Sequence, residues 1–140
     1  MSTNLKTRLS KKSKYYISPN RYKELVYFCQ QYPEWKEEIK EIGIRSRKFP
    51  GLKNRNYFSD STANQAIFLS TLTKKIKLVE ETVAEADPDI SEFLLIAVTQ
   101  DYTYDTLRTI KNVPCSRTYF YDRRRKFFWL LDNKKRHQGH

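Results

Sequence analysis

Hydrophobic residues recur at helical spacing in the first third of the chain. Ser18-Pro19 combines an N-cap hydroxyl with a proline suited to the first helical position, which predicts a helix over residues 19–31. Pro33 ends that helix and opens a second one over residues 34–42, with Gly43 as its C-terminal cap. The first helix carries one apolar stripe, made of Tyr22, Leu25, Val26 and Cys29.

The middle of the chain combines a basic, irregular stretch with a long periodic one. Residues 44–57 contain basic residues, no acid and a Pro50-Gly51 break, which predicts an exposed loop that either contacts phosphate or is solvated. An apolar period then continues to about Ala86 and predicts a helix of roughly 25 residues. Globular helices usually have about 8 to 20 residues, so this one either spans the molecule or forms a homodimer contact.

Three helix-length segments follow the break at Asp87-Pro88-Asp89, covering about residues 90–100, 104–111 and 117–133. The first is strongly apolar, as expected of a buried helix. Two short turns separate the segments, so the arrangement predicts a three-helix, helix-turn-helix unit.

Individual side chains fit this helix-turn-helix arrangement. Thr103 is placed to N-cap the middle helix, whose Leu107 and Ile110 are expected to face inward, and Val113 is expected to be a buried anchor in the second turn. On the last helix, two faces are distinguished by spacing. The predicted core face holds Phe120, Phe127 and Leu131, and the face predicted to be free holds Arg117, Tyr121, Arg125 and Phe128, with Arg123 beside it.

Charge indicates the partner. The chain carries a net charge of +11 and a pI near 9.7, which favours polyanions, above all double-stranded DNA. Residues 1–14 hold five basic groups and no acid, residues 79–107 hold eight acids and no Lys or Arg, and residues 117–136 hold eight basic groups against two acids. Segregation of this kind indicates a directed binding face.

The candidate DNA-binding residues fall into two classes on the last helix. Base contacts are expected from its N-terminal side chains, because those reach base edges in a helix-turn-helix complex: Ser116, Arg117, Tyr119 and Tyr121. Phosphate contacts are expected from the dense basic runs, because such runs have little sequence selectivity: Arg123, Arg124, Arg125, Lys134, Lys135 and Arg136.

The C-terminal part resembles known transcription proteins. Thr103-Tyr104-Asp105, with Leu107, Ile110, Val113 and Thr118 following, resembles the promoter-reading C-terminal domain of sigma factors. The wider pattern is similar to phage and prophage late transcription regulators described as ArpU-like, through Tyr16, Tyr32-Pro33-Glu34-Trp35, Pro114-Cys115-Ser116-Arg117 and the run from Tyr121 to Phe128. This resemblance implies sequence-specific DNA binding and RNA polymerase as a further partner. Asn112 replaces the usual glycine, and asparagine also tolerates the left-handed conformation.

The sequence thus predicts an all-α protein with three parts: a flexible basic arm over residues 1–14, a helical region over residues 15–86 and a DNA-binding unit over residues 87–140. Cys29 and Cys115 form no CxxC pair, so reduced thiols and no metal are expected. No phosphate-binding glycine loop or catalytic triad pattern occurs, so neither an enzymatic activity nor a cofactor is expected. A cytoplasmic location in a bacterial host, without membrane contact, is expected.

Two other functions fit the same composition. One is a small phage DNA-packaging subunit that binds DNA as a ring. The other is a phage-encoded interaction protein that inhibits a host nucleic-acid enzyme, although the basic net charge disfavours DNA mimicry. The oligomeric state separates a ring from a monomeric or dimeric regulator.

Overall fold

A computed structural model describes residues 11–48 and 60–137 of the chain. Their fold is all-α, as predicted, with six α-helices and one 3-10 turn and without a strand. None of these helices is both long and apolar enough to cross a membrane. The elements are α1 (Pro19–Gln30), α2 (Tyr32–Lys48), α3 (Asp60–Ala86), the 3-10 turn (Pro88–Ile90), α4 (Ser91–Gln100), α5 (Tyr104–Ile110) and α6 (Arg117–His137).

The helix starts lie close to the positions that the capping residues predict. The Thr103 hydroxyl accepts a hydrogen bond from the Thr106 N–H at 3.1 Å, which caps α5. Helix α3 ends just before Asp87, whose carboxylate accepts a hydrogen bond from the Asp89 N–H at 2.9 Å and caps the 3-10 turn that follows. Ser18 does occupy the N-cap of α1, but its hydroxyl makes no capping hydrogen bond, so this start rests on the proline at the first helical position.

The prediction that Gly43 ends the second helix is wrong. Helix α2 runs through Gly43 to Lys48, so the first residues of the predicted 44–57 loop are helical. A glycine inside a helix costs only about 1 kcal/mol relative to alanine, and continued packing can offset that cost. Residues 49–57 of the predicted loop lie outside the described residues.

The two turns of the C-terminal helices also differ from expectation. Helix α4 ends at Asp101, which takes the left-handed conformation with φ 55°, and among the described non-glycine residues no other has a positive φ. Asn112 therefore does not adopt the left-handed form. Ile110, expected inside, is 58% exposed, and Val113 is only half-buried. The buried residues of α5 are Tyr104 and Leu107.

Helix packing divides the chain into two compact units, each described here by itself. The first comprises the described residues of 1–31 and 78–140. Within it, α1 packs against α4 and α6, α4 packs against α5 and α6, and α5 packs against α6. Residues that are essentially inaccessible form its core: Leu25, Val26, Cys29, Val79, Leu94, Ala97, Leu107, Phe120, Phe127, Phe128 and Leu131.

This packing differs from the predicted three-part division, which placed α1 outside the C-terminal unit. The difference arises because the apolar stripe of α1 is buried against helices more than sixty residues later in sequence, a pairing that local patterns cannot show. The structure describes residues 11–14 of the predicted arm, where Lys11, Lys12 and Lys14 are exposed and the Ser13 carbonyl accepts the Tyr16 N–H at 3.2 Å. Tyr15 and Ile17, which follow the arm, are buried.

The second unit comprises residues 32–77, with α2 and the first part of α3. Trp35 of α2 is buried, and the Lys75 ammonium of α3 lies 5.6 Å from the centre of its ring. Leu72 and Ile76 are buried on α3, whereas Ile67 and Phe68, one to two turns earlier, are exposed.

Candidate nucleic-acid interface

The turn between α5 and α6 is held by Tyr104. Its ring packs 5.6 Å from the ring of Phe120, and its hydroxyl donates to the Cys115 carbonyl at 2.6 Å. Its backbone N–H donates to the Tyr121 hydroxyl at 3.0 Å. Because Tyr104, at the start of α5, contacts Cys115, Phe120 and Tyr121, the first turn of α6 is fixed relative to α5.

The start of α6 is exposed. Ser116 precedes the helix, and its hydroxyl accepts the Tyr119 N–H at 3.2 Å, so it acts as an N-cap. Ser116, Arg117, Thr118 and Tyr119 are all exposed. The structure therefore leaves three of the four predicted base-contacting residues, Ser116, Arg117 and Tyr119, exposed at the start of α6.

Tyr121, the fourth of these residues, differs from the others. Its side chain is half-buried and its hydroxyl accepts the Tyr104 N–H, so the oxygen serves the start of α5. The ring also packs edge-on against Phe120 at 5.6 Å. The described contacts of Tyr121 are those of a residue that positions the two helices.

Arg117 has an ion-pair partner on α5. Its Nη1 and Nη2 atoms donate to the two carboxylate oxygens of Asp105 at 2.9 and 2.6 Å. The guanidinium lies 5.5 Å from the centre of the Tyr104 ring. Both charged side chains remain open to solvent, with exposures of 58% for Arg117 and 62% for Asp105. This contact links the exposed faces of α5 and α6.

Tyr119 is 44% exposed, but its hydroxyl donates to the Asp87 carboxylate. This hydrogen bond, together with partial burial and the negative charge of Asp87, raises the pKa of Tyr119. The Arg123 guanidinium lies 5.5 Å from the Tyr119 ring and pairs with Asp122 through its Nε atom at 3.0 Å. The ring of Tyr119 is thus the part of this side chain that is presented outward.

The basic runs of α6 are not uniformly exposed. Arg124 is only 5% exposed: its Nη1 donates to the Tyr22 hydroxyl at 2.6 Å and its guanidinium lies 4.9 Å from the Phe128 ring. Lys135 is 8% exposed, with its ammonium 3.7 Å from the centre of the Phe28 ring. Both therefore contribute to the α1–α6 contact, and neither is displayed on the surface as a phosphate contact requires.

The predicted free face of α6 also needs correction at Phe128. This ring is 1% exposed and packs edge-on against Tyr22 at 5.2 Å. The predicted core positions Phe120, Phe127 and Leu131 are confirmed as fully buried. The buried surface of α6 is therefore wider than one apolar stripe. Helix α1 covers the side with Arg124 and Phe128, which was predicted to be exposed to solvent.

At the far end of α6, the predicted phosphate contacts are engaged by acids. The Lys134 ammonium pairs with Glu85 at 2.5 Å, and Arg136 pairs with the buried Asp132 at 3.4 Å. Asp132 also pairs with Arg21 of α1. This end of the helix is an ion-paired junction.

Among the basic residues of α5, α6 and the turn between them, four have no ion-pair or hydrogen-bond partner in the described part of the chain. Arg125 was predicted, whereas Arg108, Lys111 and Lys126 were missed. Arg108 and Lys111 are exposed at the end of α5, and Arg125 and Lys126 are half-exposed on α6. The available signal for Arg108 and Lys111 was the run Arg108-Thr109-Ile110-Lys111, which places two basic residues near the end of a short helix.

No protein-family model, curated protein or solved structure matches this chain. Chemical properties of the site must therefore indicate its use. Among the described residues, no group of three or more His, Cys, Asp or Glu side chains is placed to hold a metal ion. Both thiols are unbonded, and burial raises the pKa of Cys29 to about 12, although Arg124 and Lys135 act in the opposite direction.

The surface around the start of α6 offers hydrogen-bond donors and positive charge. Arg117 contributes a planar fork of donors, and unpaired cations lie on both sides of it along the chain. Along α6, Arg117 and Arg125 are separated by roughly 12 Å at about 1.5 Å per residue. A major groove is about 12 Å wide, so one helix can place its start in the groove and Arg125 near a bordering phosphate.

Proposed function

We propose that this protein binds double-stranded DNA in a sequence-specific manner, with α5 and α6 as the two helices of a helix-turn-helix motif. The observation that carries the proposal is the exposed start of α6, fixed to α5 through Tyr104 and flanked by unpaired cations. Ordered donors can discriminate base edges, and flanking cations attract phosphates of any sequence.

Electrostatic capture is the first step of the proposed mechanism. The net charge of +11 attracts the DNA backbone, and each cation that reaches a phosphate releases counterions. Arg108, Lys111, Arg125 and Lys126 are suited to this step because they need not break an ion pair first.

Insertion of the start of α6 into the major groove is the second step. Arg117 can pair through two donors with the O6 and N7 atoms of guanine, and the Tyr119 ring can contact a thymine methyl group. The role that fits such binding, and that the sigma-like and ArpU-like resemblance suggests, is regulation of transcription in a phage or prophage. RNA polymerase is then the protein partner to be sought.

The proposal is tested by selecting bound sequences from a random duplex library at two salt concentrations. Enrichment of a defined site is expected, and failure to enrich any site contradicts sequence-specific binding. The paired variant Arg108→Ala/Lys111→Ala is expected to weaken binding to all duplexes and to lower the salt slope by about 1.8 if both residues contact phosphate. Lys23→Ala/Lys74→Ala, which removes one exposed lysine from α1 and one from α3, is the matched control for the loss of two charges.

The role of Arg117 is tested separately. Arg117→Ala is expected to weaken binding to the selected site more than binding to a random duplex, because base contacts carry the sequence preference. Equal loss on both duplexes would remove Arg117 from the base contacts.

A DNA-packaging subunit is the second candidate function. The exposed Ile67 and Phe68 on α3 favour it, because neighbouring apolar side chains that are 65% and 45% exposed suit a contact between subunits. Sedimentation of the full chain decides between the two functions. A closed ring of many copies supports packaging, and a monomer or dimer supports regulation.

A further inference from the structure

Asp105 occupies the atoms of Arg117 that would contact a base. The two terminal nitrogens of Arg117 each donate to one carboxylate oxygen of Asp105, at 2.9 and 2.6 Å. Guanine offers two acceptors, O6 and N7, to the same fork of donors. Asp105 and a guanine edge therefore compete for one side of the guanidinium.

This ion pair can open. Both side chains are more than half exposed, so water and salt ions compete with the contact. The Tyr104 ring lies 5.5 Å from the guanidinium and is held at the turn by the hydrogen bond of its hydroxyl group. Arg117 can therefore move away from Asp105 while it stays beside this ring. Arg117 can donate to another acceptor in place of the Asp105 carboxylate without a rearrangement of α5 or α6.

We infer that Asp105 determines the specificity of DNA binding by competing for Arg117; this inference rests on the proposed function. On a duplex without a guanine at the matching position, Asp105 keeps Arg117 paired and away from phosphates. On the selected site, the guanine edge replaces the carboxylate. Asp105 thus lowers affinity for DNA in general more than it lowers affinity for the selected site.

Removal of the carboxylate should release Arg117 to phosphates on every sequence. Asp105→Asn is expected to tighten binding to a random duplex and to steepen its salt slope by about 0.9, the change for one added phosphate contact. With this steeper slope, a rise in salt from 50 to 200 mM should weaken binding of the variant to the random duplex about 3.5-fold more than it weakens binding of the unmodified protein. Binding to the selected site should change less, so the ratio of the two affinities falls.

Glu92→Gln is the matched control. Glu92 lies in the first turn of α4 as Asp105 lies in the first turn of α5, it is exposed, and it has no ion pair in the described part of the chain. The control removes the same charge from a helix start without releasing an arginine. It should leave the ratio of affinities and the random-duplex slope near those of the unmodified protein.

Three results decide the inference. The inference is overturned if the ratio of affinities for the selected site and a random duplex is the same in Asp105→Asn as in Glu92→Gln. It is also overturned if Asp105→Asn still changes this ratio in a protein that carries Arg117→Ala. Asp105→Ser is measured in parallel, because serine also suits the first turn of a helix and keeps the test decisive if one variant unfolds. An unmodified protein that enriches no site overturns the proposed function itself, whereas enrichment with an unchanged ratio in both variants overturns only the competition by Asp105.

Discussion

Arg124 provides a direct test of which cations of α6 are structural. Its side chain is 5% exposed, donates to the Tyr22 hydroxyl at 2.6 Å and lies against the Phe128 ring. Its Nε atom is buried without a hydrogen-bond partner, and no acid pairs with it in the described part of the chain. A charge in such a place is partly stabilised by aromatic rings and is otherwise costly.

Two substitutions separate the packing contribution of Arg124 from its charge. Arg124→Ala removes a long buried side chain between α1 and α6, and truncations of that size lower the free energy of unfolding by about 2 to 4 kcal/mol. Arg124→Met keeps most of the volume. It loses a charged hydrogen bond of about 1.5 to 3 kcal/mol, and it also removes a desolvation penalty of several kcal/mol. The methionine variant is therefore expected within about 1 kcal/mol of the unmodified protein.

The assay is urea unfolding followed by helical circular dichroism, combined with the salt dependence of DNA binding. Arg125→Ala is the control, because it removes the neighbouring, half-exposed cation. The control should change the free energy of unfolding by about 0.5 kcal/mol or less and should lower the salt slope by about 0.9. If instead Arg124→Ala unfolds like the unmodified protein and lowers the salt slope by that amount, Arg124 is a phosphate contact and the reasoning above is refuted.

Three further predictions concern α5 and the thiols. Thr103→Ala should lower the free energy of unfolding by about 1 kcal/mol through loss of the N-cap, whereas Thr109→Ala, on the exposed side of α5, should have little effect; equal effects in thermal melts would contradict the cap. A thiol reagent at neutral pH should label Cys115 and spare the fully buried Cys29 until urea is added, and rapid labelling of both would contradict that burial. Burial raises the pKa of Cys29 from 9.0 to about 12, so the stabilisation from its neutral thiol is present below pH 9 and is lost towards pH 12. Between these pH values, the free energy of unfolding should fall more steeply in the unmodified protein than in Cys29→Ala.

The helices were predictable where their signals are local. Thr103 and the Asp87-Pro88 break set element ends through contacts within three residues, and Pro19 is compatible with a helix only near its start. Gly43 misled the prediction because a glycine permits a helix end without requiring one. Asp101 was likewise missed as the left-handed residue, although its conformation belongs to a local cap in which the Tyr102 N–H donates to the Ala97 carbonyl at 3.1 Å.

The candidate site was less predictable because burial depends on distant partners. Arg124 and Lys135 stand in runs of basic residues, which normally indicate solvent exposure. Together with Phe128 and Leu131 they recur at helical spacing on one side of α6, and that side is covered by α1. Spacing alone could not show that such a cover exists. Nor could it show that Asp105, twelve residues before Arg117, is its partner.

The contact of α1 with α6 has a consequence for the order of events during synthesis. Tyr22 meets Arg124 across 102 residues of sequence, and Arg21 meets Asp132 across 111. A ribosome that adds about 5 to 20 residues per second leaves α1 without these partners for roughly 5 to 20 s. During that interval the apolar stripe with Leu25 and Val26 is open to chaperones, and the first unit can close only after α6 has been made.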